Sequence, residues 1–326
     1  MNILLTGGAG YIGSHTAWRI SKAGHTPIVL DNLSMGHREN VKWGPLVEGD
    51  MGDAAVVGKT LRDYRVDAVI HFAANAFVGE SMRDPRKYFA NNAAATLSLL
   101  NAMLDSGVRT IVFSSTCATY GDPETPLIAE SHPQRPVNPY GESKLFVERV
   151  LRWYGEAYGL NWIALRYFNA AGAESQAGLC EQHDPETHLI PLAIQAAMGI
   201  RPHIEIFGTD YPTFDGTAIR DYIHVSDLAS AHLLSLERLN AGGSSGAFNL
   251  GTGEGCSVRQ VIDRVKRIAG RPFAVREGPR RPGDPPVLVA DARRARSELD
   301  WTPVCSDLDS IVQTAWNSFQ EMHRRS

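Results

Sequence analysis

Seven residues, Gly7-Gly8-Ala9-Gly10-Tyr11-Ile12-Gly13, constrain this chain more than any other stretch, because they follow a short apolar run and lead into an amphipathic one. They satisfy both the GxxGxxG and the GxGxxG spacings, and their place between a strand and a helix gives the glycines a mechanical reason. Such glycines permit a tight turn and let backbone N–H groups and the helix N-terminus approach a pyrophosphate. Asp31, closing the second apolar run, adds an acceptor for adenosine ribose hydroxyls. Its carboxylate would repel a 2′-phosphate, so NAD is favoured over NADP, with Arg38 the only nearby cation to contest this. Asp50, after a third strand, reads equally as an acceptor for the adenine amino group and as a solvated turn residue.

Around the fingerprint, apolar runs alternate with amphipathic ones. Ile3 to Leu5, Pro27 to Leu30, Ala68 to Phe72, Thr110 to Ser114 and Trp162 to Leu165 read as buried strands, with helix-like stretches such as Ser14 to Ala23 and Thr96 to Ser106 between them. The βαβ pattern predicts an α/β fold with a doubly wound parallel sheet (Rossmann) over residues 1–168. From 169 to 326 loops dominate, with helical patches at Leu189 to Met198, Val225 to Arg238 and Val258 to Ala269. This predicts a second, smaller mixed α/β substrate domain whose segments interleave with the first.

The 326 residues suit two domains, and a net charge of −4 gives no electrostatic reason to expect nucleic acid, so an anionic ligand needs local cations. Cys117, Cys180, Cys256 and Cys305 have no paired spacing, which argues for a reducing cytoplasm and against a zinc or disulfide framework. Asn2 stands where a signal peptide would carry basic residues, so the start reads as a strand, and no apolar stretch reaches the length of about 18 residues that spans a membrane.

Tyr140 and Lys144 stand four residues apart after Pro139, which marks a helix start, so both side chains lie on one helical face. A nearby ammonium favours a phenolate and so predicts a lowered tyrosine pKa, suited to taking a proton from an alcohol. Alone, this spacing is common on surface helices. Here it follows a dinucleotide fingerprint and an apolar strand ending in Ser114-Ser115-Thr116, where such sheets bind ligands.

With Ser114-Ser115-Thr116-Cys117-Ala118-Thr119-Tyr120-Gly121, Leu165-Arg166-Tyr167-Phe168-Asn169 and Arg220-Asp221-Tyr222-Ile223-His224-Val225, the chain resembles the nucleotide-sugar 4-epimerases of the extended short-chain dehydrogenase/reductase family, in order along nearly its whole length. The resemblance implies a retained NAD and a UDP-sugar substrate, with UDP-glucose and UDP-galactose interconverted through a 4-keto sugar that turns over in the pocket. It implies Tyr140 as base and acid, Lys144 as the residue that orients the nicotinamide ribose and tunes Tyr140, and Thr116 as the hydroxyl on the reacting sugar oxygen. For the cofactor it implies Gly7, Gly10, Tyr11, Ile12, Gly13, Asp31, Asn32, Asp50, Met51, Phe72, Ala73, Ala74, Asn91, Ser114, Tyr140, Lys144 and Phe168. For the sugar nucleotide it implies Thr116, Asn169, His188, Leu189, Phe207, Arg220, Arg281, Asp284 and Leu288, the two arginines acting as pyrophosphate clamps. It also implies a homodimer through a helical face, for which Thr96 to Met103 and Leu145 to Leu151 are the candidates.

Some positions depart from the family pattern. Ala76 stands where many members have a lysine near the nicotinamide, His188 replaces an asparagine on the UDP phosphate, and Leu288 occupies the position that gates larger N-acetylated sugars. Related dehydratases carry Asp-Glu just after the threonine, and decarboxylases a glutamate at the second place; Cys117 and Ala118 cannot move those protons. A UDP-xylose/UDP-arabinose 4-epimerase shares the run from Ser114 to Gly121 and the same chemistry on a pentose and is the alternative, and a catalytically silent dinucleotide-binding protein is a third reading. His183-Asp184-Pro185-Glu186-Thr187-His188 carries metal-capable side chains, but Pro185 breaks helical spacing and no metal signature matches, so a loop over the substrate and no metal are expected. His71, His224 and His232 read as core or capping histidines.

Overall fold

The computed structural model describes residues 1–281 and 283–325. Ile3, Leu4 and Leu5 are wholly buried, as in a strand covered on both faces. That strand, β1 (Asn2–Thr6), is followed by α1 (Tyr11–Lys22), β2 (Thr26–Asp31), β3 (Leu46–Glu48), α2 (Ala54–Asp63), β4 (Ala68–His71), α3 (Val78–Arg83), α4 (Pro85–Tyr88) and α5 (Ala95–Asp105). Next come β5 (Thr110–Thr116), β6 (Leu127–Ile128), α6 (Pro139–Tyr158), β7 (Asn161–Tyr167), β8 (Asn169–Ala171), α7 (Leu189–Ala197), β9 (Ile204–Phe207), β10 (Ile219–His224) and α8 (Val225–Asn240). The chain ends with β11 (Gly246–Leu250), β12 (Gly255–Ser257), α9 (Val258–Ala269), β13 (Val275–Gly278), β14 (Val287–Ala290), α10 (Arg293–Glu298) and α11 (Leu308–Arg325).

Seven parallel strands run in the order β11-β7-β5-β4-β1-β2-β3. The chain winds one way from β1 through β2 to β3, then returns to β4 and winds the other way. The order therefore reverses between β1 and β4, the switch point outside which ligands of such sheets bind. On one face α1 and α8 bury Ala17, Ile20, Leu228, Ala231 and Leu236; on the other α2, α5 and α6 bury Val57, Leu61, Leu99, Leu100, Met103, Val147 and Leu151. This is the doubly wound sheet expected from the βαβ pattern.

A second sheet runs β12-β10-β14-β6, with β8 on β10, and a two-stranded pair joins β13 to β9. Helices α7, α9 and α11 close a separate core around Ile194, Val261, Val265, Val312 and Trp316. The two regions exchange segments. β11 pairs with β7 at the edge of the large sheet, α8 packs on that sheet, and Trp301 sits in its core. In return β6, from the first half, pairs with β14. No helix of the described residues is long and apolar enough to cross a membrane.

His71 bridges Thr6 Oγ1 at 2.7 Å and Thr96 Oγ1 at 2.9 Å, His232 shares a proton with the Leu228 carbonyl at 2.8 Å, and His224 caps α8 by accepting from the Ser226 N–H. Burial pushes His71 down to about 3, with Lys144 adding to it, and pushes His15 and His232 down to about 4. The unfolded chain takes up these protons at the ordinary value of 6.5, whereas the folded chain excludes them. Their contribution to stability is therefore whole above pH ~6.5 and is lost as pH falls toward ~4. We expect the midpoint of thermal unfolding, followed by circular dichroism, to drop on the order of several degrees between pH 7 and pH 5; equal midpoints would contradict it.

Candidate active site

At the end of β1 the chain turns back through Gly7 at φ 72°, where a Cβ would lie 2.6 Å from the Ala73 backbone nitrogen. A Cβ on Gly13 would lie 2.3 Å from the Gly7 carbonyl oxygen, so α1 starts this close to the turn only because both side chains are missing. Gly10 N-caps α1 without a side-chain cap, and the first turn holds no acidic residue. The helix therefore presents its N-terminal dipole and uncapped amides at the switch point, a cradle that fits a pyrophosphate.

Asp31, at the end of β2, accepts the Ala9 and Leu33 N–H groups at 2.9 Å each. Burial raises its carboxyl pKa, and those two amides pull it back. Asn32 donates to Asp50 at 3.0 Å, joining the ends of β2 and β3, and Asp50 also accepts the Gly52 N–H at 2.7 Å. Met51 is buried beside them. Phe72 and Ala73 follow β4 and donate their N–H groups to the Thr6 carbonyl, with Ala74 next in the chain. Asn91 lies on a π-helical turn before α5 and donates to Asn92 at 3.0 Å. Phe168, just past β7, is buried with Tyr120 and Ile128. Gly7, Asp31, Phe72 and Ser114 thus stand at the ends of β1, β2, β4 and β5 beside the switch point, an arrangement that fits a dinucleotide.

Helix α6 opens on Asn138, whose side chain accepts the Gly141 N–H at 2.8 Å, with Pro139 in the first turn. This cap fixes Tyr140 at the helix start and Lys144 one turn on. Lys144, 3% exposed, donates from Nζ to the Ser114 carbonyl at 2.8 Å. Thr116 ends β5 opposite Tyr167 of β7, and its hydroxyl, which accepts the Ala118 N–H at 3.1 Å, stands near that of Tyr140. The Tyr88 ring packs edge-on against Tyr140, with centroids 6.4 Å apart.

The expected lowering of the tyrosine pKa is absent in the protein alone. Although part of Tyr140 faces solvent, enclosure of its hydroxyl raises the phenol well above the ordinary range, and Tyr167 adds to this against the opposing pull of the Thr116 hydroxyl. Burial also pushes Lys144 down to about 7, against the pull of Glu148. Desolvation disfavours the charged form of each.

On the substrate side Asn169 donates to the Asp221 carbonyl at 3.1 Å. Arg220 of β10 lies beside Leu288 of β14 and is ion-paired with Asp284. The Arg281 guanidinium stacks over Phe207 at 4.1 Å and makes no ion pair among the described residues, so the two expected clamps differ: one is neutralised, one is free. A cleft of ≈ 760 Å³ separates the 122–126 loop from Arg281 and Asp284. His188 N-caps α7 and Leu189 begins it.

Reading the motifs missed three contributors. Tyr167 joins Ser114 through its hydroxyl and faces Tyr140, a place legible from the register of two parallel strands ending together. Asn92 donates to Ser143 at 3.1 Å and to the Asn75 carbonyl, tying α6 to the segment after β4. Glu148 lies one turn beyond Lys144 and takes the Arg166 guanidinium, with Nε 3.0 Å from Oε1. Both side chains of that pair are no more than 7% exposed.

A glycine cradle at the switch point, with a half-buried tyrosine and a buried lysine beside a strand-end hydroxyl, defines a class: dinucleotide-dependent α/β enzymes that act on a hydroxyl group. Within it, the chain belongs to the NAD dependent epimerase/dehydratase family, whose model matches residues 3–251. It is similar to the UDP-glucose 4-epimerase of Rhizobium meliloti (strain 1021), with 50% identity over 316 residues, 97% of this chain and 96% of the relative. Its fold is similar to the crystal structure of UDP-glucose 4-epimerase from Brucella ovis in complex with NAD, at TM-score 0.96, 51% identity and 98% of both chains. It is also similar to the enzyme from Stenotrophomonas maltophila with bound NAD and formylated UDP-arabinopyranose, at TM-score 0.96, 38% identity and 100% of both chains.

Replacing Arg166 by leucine would leave the Glu148 carboxylate buried without its cation. We expect Arg166→Leu to cost about 3–5 kcal/mol in urea unfolding; a loss below about 1 kcal/mol would show that the pair does not hold α6 to β7.

Proposed function

We propose that this chain is an NAD-dependent 4-epimerase that interconverts UDP-glucose and UDP-galactose. The observation that carries the reading is the Tyr140 hydroxyl enclosed against Thr116 at the strand end beside the glycine cradle. The absence of acid–base groups at the next two positions narrows it. Burial pushes the Cys117 thiol up to about 12, so it stays neutral, and Ala118 carries no proton. Elimination and decarboxylation lack their catalysts, and reversible oxidation at a hydroxyl remains.

When bound, NAD supplies the hydride acceptor and donor at C4, and its positively charged ring favours the phenolate. Thr116 Oγ1 holds the sugar O4. Tyr140 takes the O4 proton and later returns it to the same oxygen on the inverted carbon. Lys144, anchored on the Ser114 carbonyl, holds the nicotinamide ribose and keeps a positive partner within reach of Tyr140. Arg281, with Arg220 and the other UDP contacts, grips the diphosphate, which leaves the hexose free to turn. Residues 1–168 bind NAD and residues 169–326 bind the UDP-sugar, with α8 and β11 returning to the large sheet.

A pentose substrate is the second reading, favoured by one observation: the Stenotrophomonas maltophila relative holds a formylated UDP-arabinopyranose. Leu288, beside Arg220 in the sheet, is neither a large aromatic nor a small residue and does not separate the two.

A proton NMR time course with UDP-galactose and no added cofactor tests the assignment. We expect the anomeric signal of UDP-glucose to grow to equilibrium, and Tyr140→Phe to slow this by at least ~100-fold at unchanged melting temperature. Near-normal turnover in a folded Tyr140→Phe would overturn the mechanism. Turnover of UDP-xylose alone would select the pentose reading, and no turnover of either would select a silent dinucleotide-binding protein.

We further propose a cytoplasmic homodimer. Leu99, Leu100, Met103, Leu145, Val147 and Leu151 of the two candidate stretches pack inside the subunit, while Phe146 and Trp153 remain 39% and 59% exposed two turns apart on α6. That face is the proposed dimer surface. Sedimentation velocity should give twice the chain mass, and Trp153→Glu should shift the protein to monomer; an unshifted Trp153→Glu dimer would place the interface elsewhere.

A further inference from the structure

The loop between β8 and α7 brings Glu181 together with three of the metal-capable side chains noted in the sequence, where no metal was expected. Glu181, His183, Glu186 and His188 place one ligating atom each within 4.8 Å of one another. His188 Nδ1 lies 2.9 Å from Glu181 Oε1 and 2.9 Å from Glu186 Oε1, and His183 Nδ1 lies 3.2 Å from Glu181 Oε1. In a tetrahedral zinc site, with bonds of about 2.0 Å, neighbouring donor atoms stand roughly 3.3 Å apart. Three of the contacts are already that short, and only modest contraction of the widest would complete the tetrahedron.

We propose that these four residues bind one divalent transition-metal ion of the zinc class. Two imidazoles and two carboxylates match the donor preference of zinc, whereas magnesium and calcium take oxygen alone. His183 Nδ1 is shut off from solvent and makes no aligned hydrogen bond, although it points at the carboxylates. That nitrogen lies 3.2 Å from Glu181 Oε1 and 3.8 Å from Glu186 Oε2, where a metal donor would stand among acids. Glu186 Oε1 accepts the backbone N–H groups of Thr187 at 2.7 Å and His188 at 2.8 Å, which orients the carboxylate as outer contacts do around bound metals.

Charge is compatible with the same ion. The carboxylates of Glu181 and Glu186 are 5% and 6% exposed, and no lysine or arginine of the described residues pairs with either. Two enclosed negative charges need two positive ones close by. Without an ion the imidazolium rings of His183 and His188 supply them, held above the ordinary imidazole range, against burial, by the two carboxylates. One divalent ion would balance both carboxylates in place of those two protons and leave both imidazoles neutral, the form in which they ligate.

The ion would tie the loop at both ends. His188 is the N-cap of α7, and His183 packs edge-on against Tyr11 of the glycine turn with centroids 6.3 Å apart. The His37 ring meets the Gln182 carbonyl at 3.1 Å. A metal here fastens the start of α7, which carries Leu189, against the first turn of α1. Its role is structural, because all four coordination positions are filled by protein.

The inference rests on donor atoms and not on the proposed epimerisation, so it is tested without an activity. The full-length protein is stripped with a chelator, dialysed and titrated with Co²⁺ while visible absorption is recorded, and Zn²⁺ is then added in competition. We expect one equivalent, intense bands of tetrahedral cobalt that zinc removes, and a rise in melting temperature on metal addition. His183→Gln and the near-isosteric Glu186→Gln should each weaken binding by at least ~100-fold. Glu186→Gln guards against a variant that fails to fold. Weak octahedral-type bands of equal affinity in wild type and both variants would mean adventitious binding, and no bands with no thermal shift would mean a cluster held by shared protons; either outcome overturns the proposal.

Discussion

The arrangement of this molecule depends on a charge buried where few charges are tolerated: Glu148 on α6 facing Arg166 on β7. Taking both groups out of water costs several kcal/mol, repaid only if every remaining donor and acceptor is used. Here nearly all are. Glu148 also accepts from Ser115 of β5 and from Gln134 at 3.2 Å, while Arg166 donates from Nη1 to the Tyr120 hydroxyl at 2.9 Å. Tyr120 passes its own proton to Asn249 of β11 at 2.7 Å. One polar network thus fixes the rotation and height of α6 on β5 and β7 and reaches the strand returned from the second half. Tyr140 and Lys144 lie two turns and one turn upstream on the same helix, so their distance to Thr116 is set by the pair that holds the helix down.

Strand order brings the remaining parts to that point. The sheet reverses between β1 and β4, which opens a crevice at the strand ends where Gly7, Asp31, Phe72 and Thr116 stand. Asn169, two residues past β7, starts β8, and β8 pairs with β10 in the register Asn169 to Tyr222. Arg220, two residues before Tyr222, is therefore carried on a strand that hangs from the end of the strand bearing Tyr167. Leu288 lies beside Arg220 on β14, and β14 is in turn held by β6, which leaves the first half just after Thr116. The substrate groups are not on a free domain; both their anchors run back to the same sheet edge.

Local features were legible in the sequence and long-range ones were not. The glycine turn, the Pro139 helix start and the one-turn spacing of Tyr140 and Lys144 are written in adjacent residues, because steric freedom, caps and helical pitch act over a few positions. The return of Gly246–Leu250 to pair with Ile163–Tyr167 leaves no periodic trace, since a short apolar strand reads the same whichever sheet receives it. The acid and histidine cluster was noted in part and set aside for a related reason. Pro185 spoils any helical spacing, and only the folded loop brings Glu181 back beside His188. The pKa of Tyr140 was read from its neighbour's charge, yet the decisive quantity is enclosure, which belongs to the fold and not to the motif.

That enclosure bears on how such a site works. A phenol raised by burial stays protonated and does not strip protons from water or from a badly placed hydroxyl. Lys144, lowered to about 7 by the same enclosure, contributes only a partial positive charge on its own. Neither residue is poised until a positive charge arrives at the strand edge and a sugar oxygen takes its place on Thr116. On the proposed mechanism the chemistry is then conditional on a complete assembly: cofactor in the glycine cradle, diphosphate held by arginines, sugar at the tyrosine. Burial, which on sequence grounds alone looks like an obstacle to ionising Tyr140, becomes the means by which the proton moves only when all the partners are present.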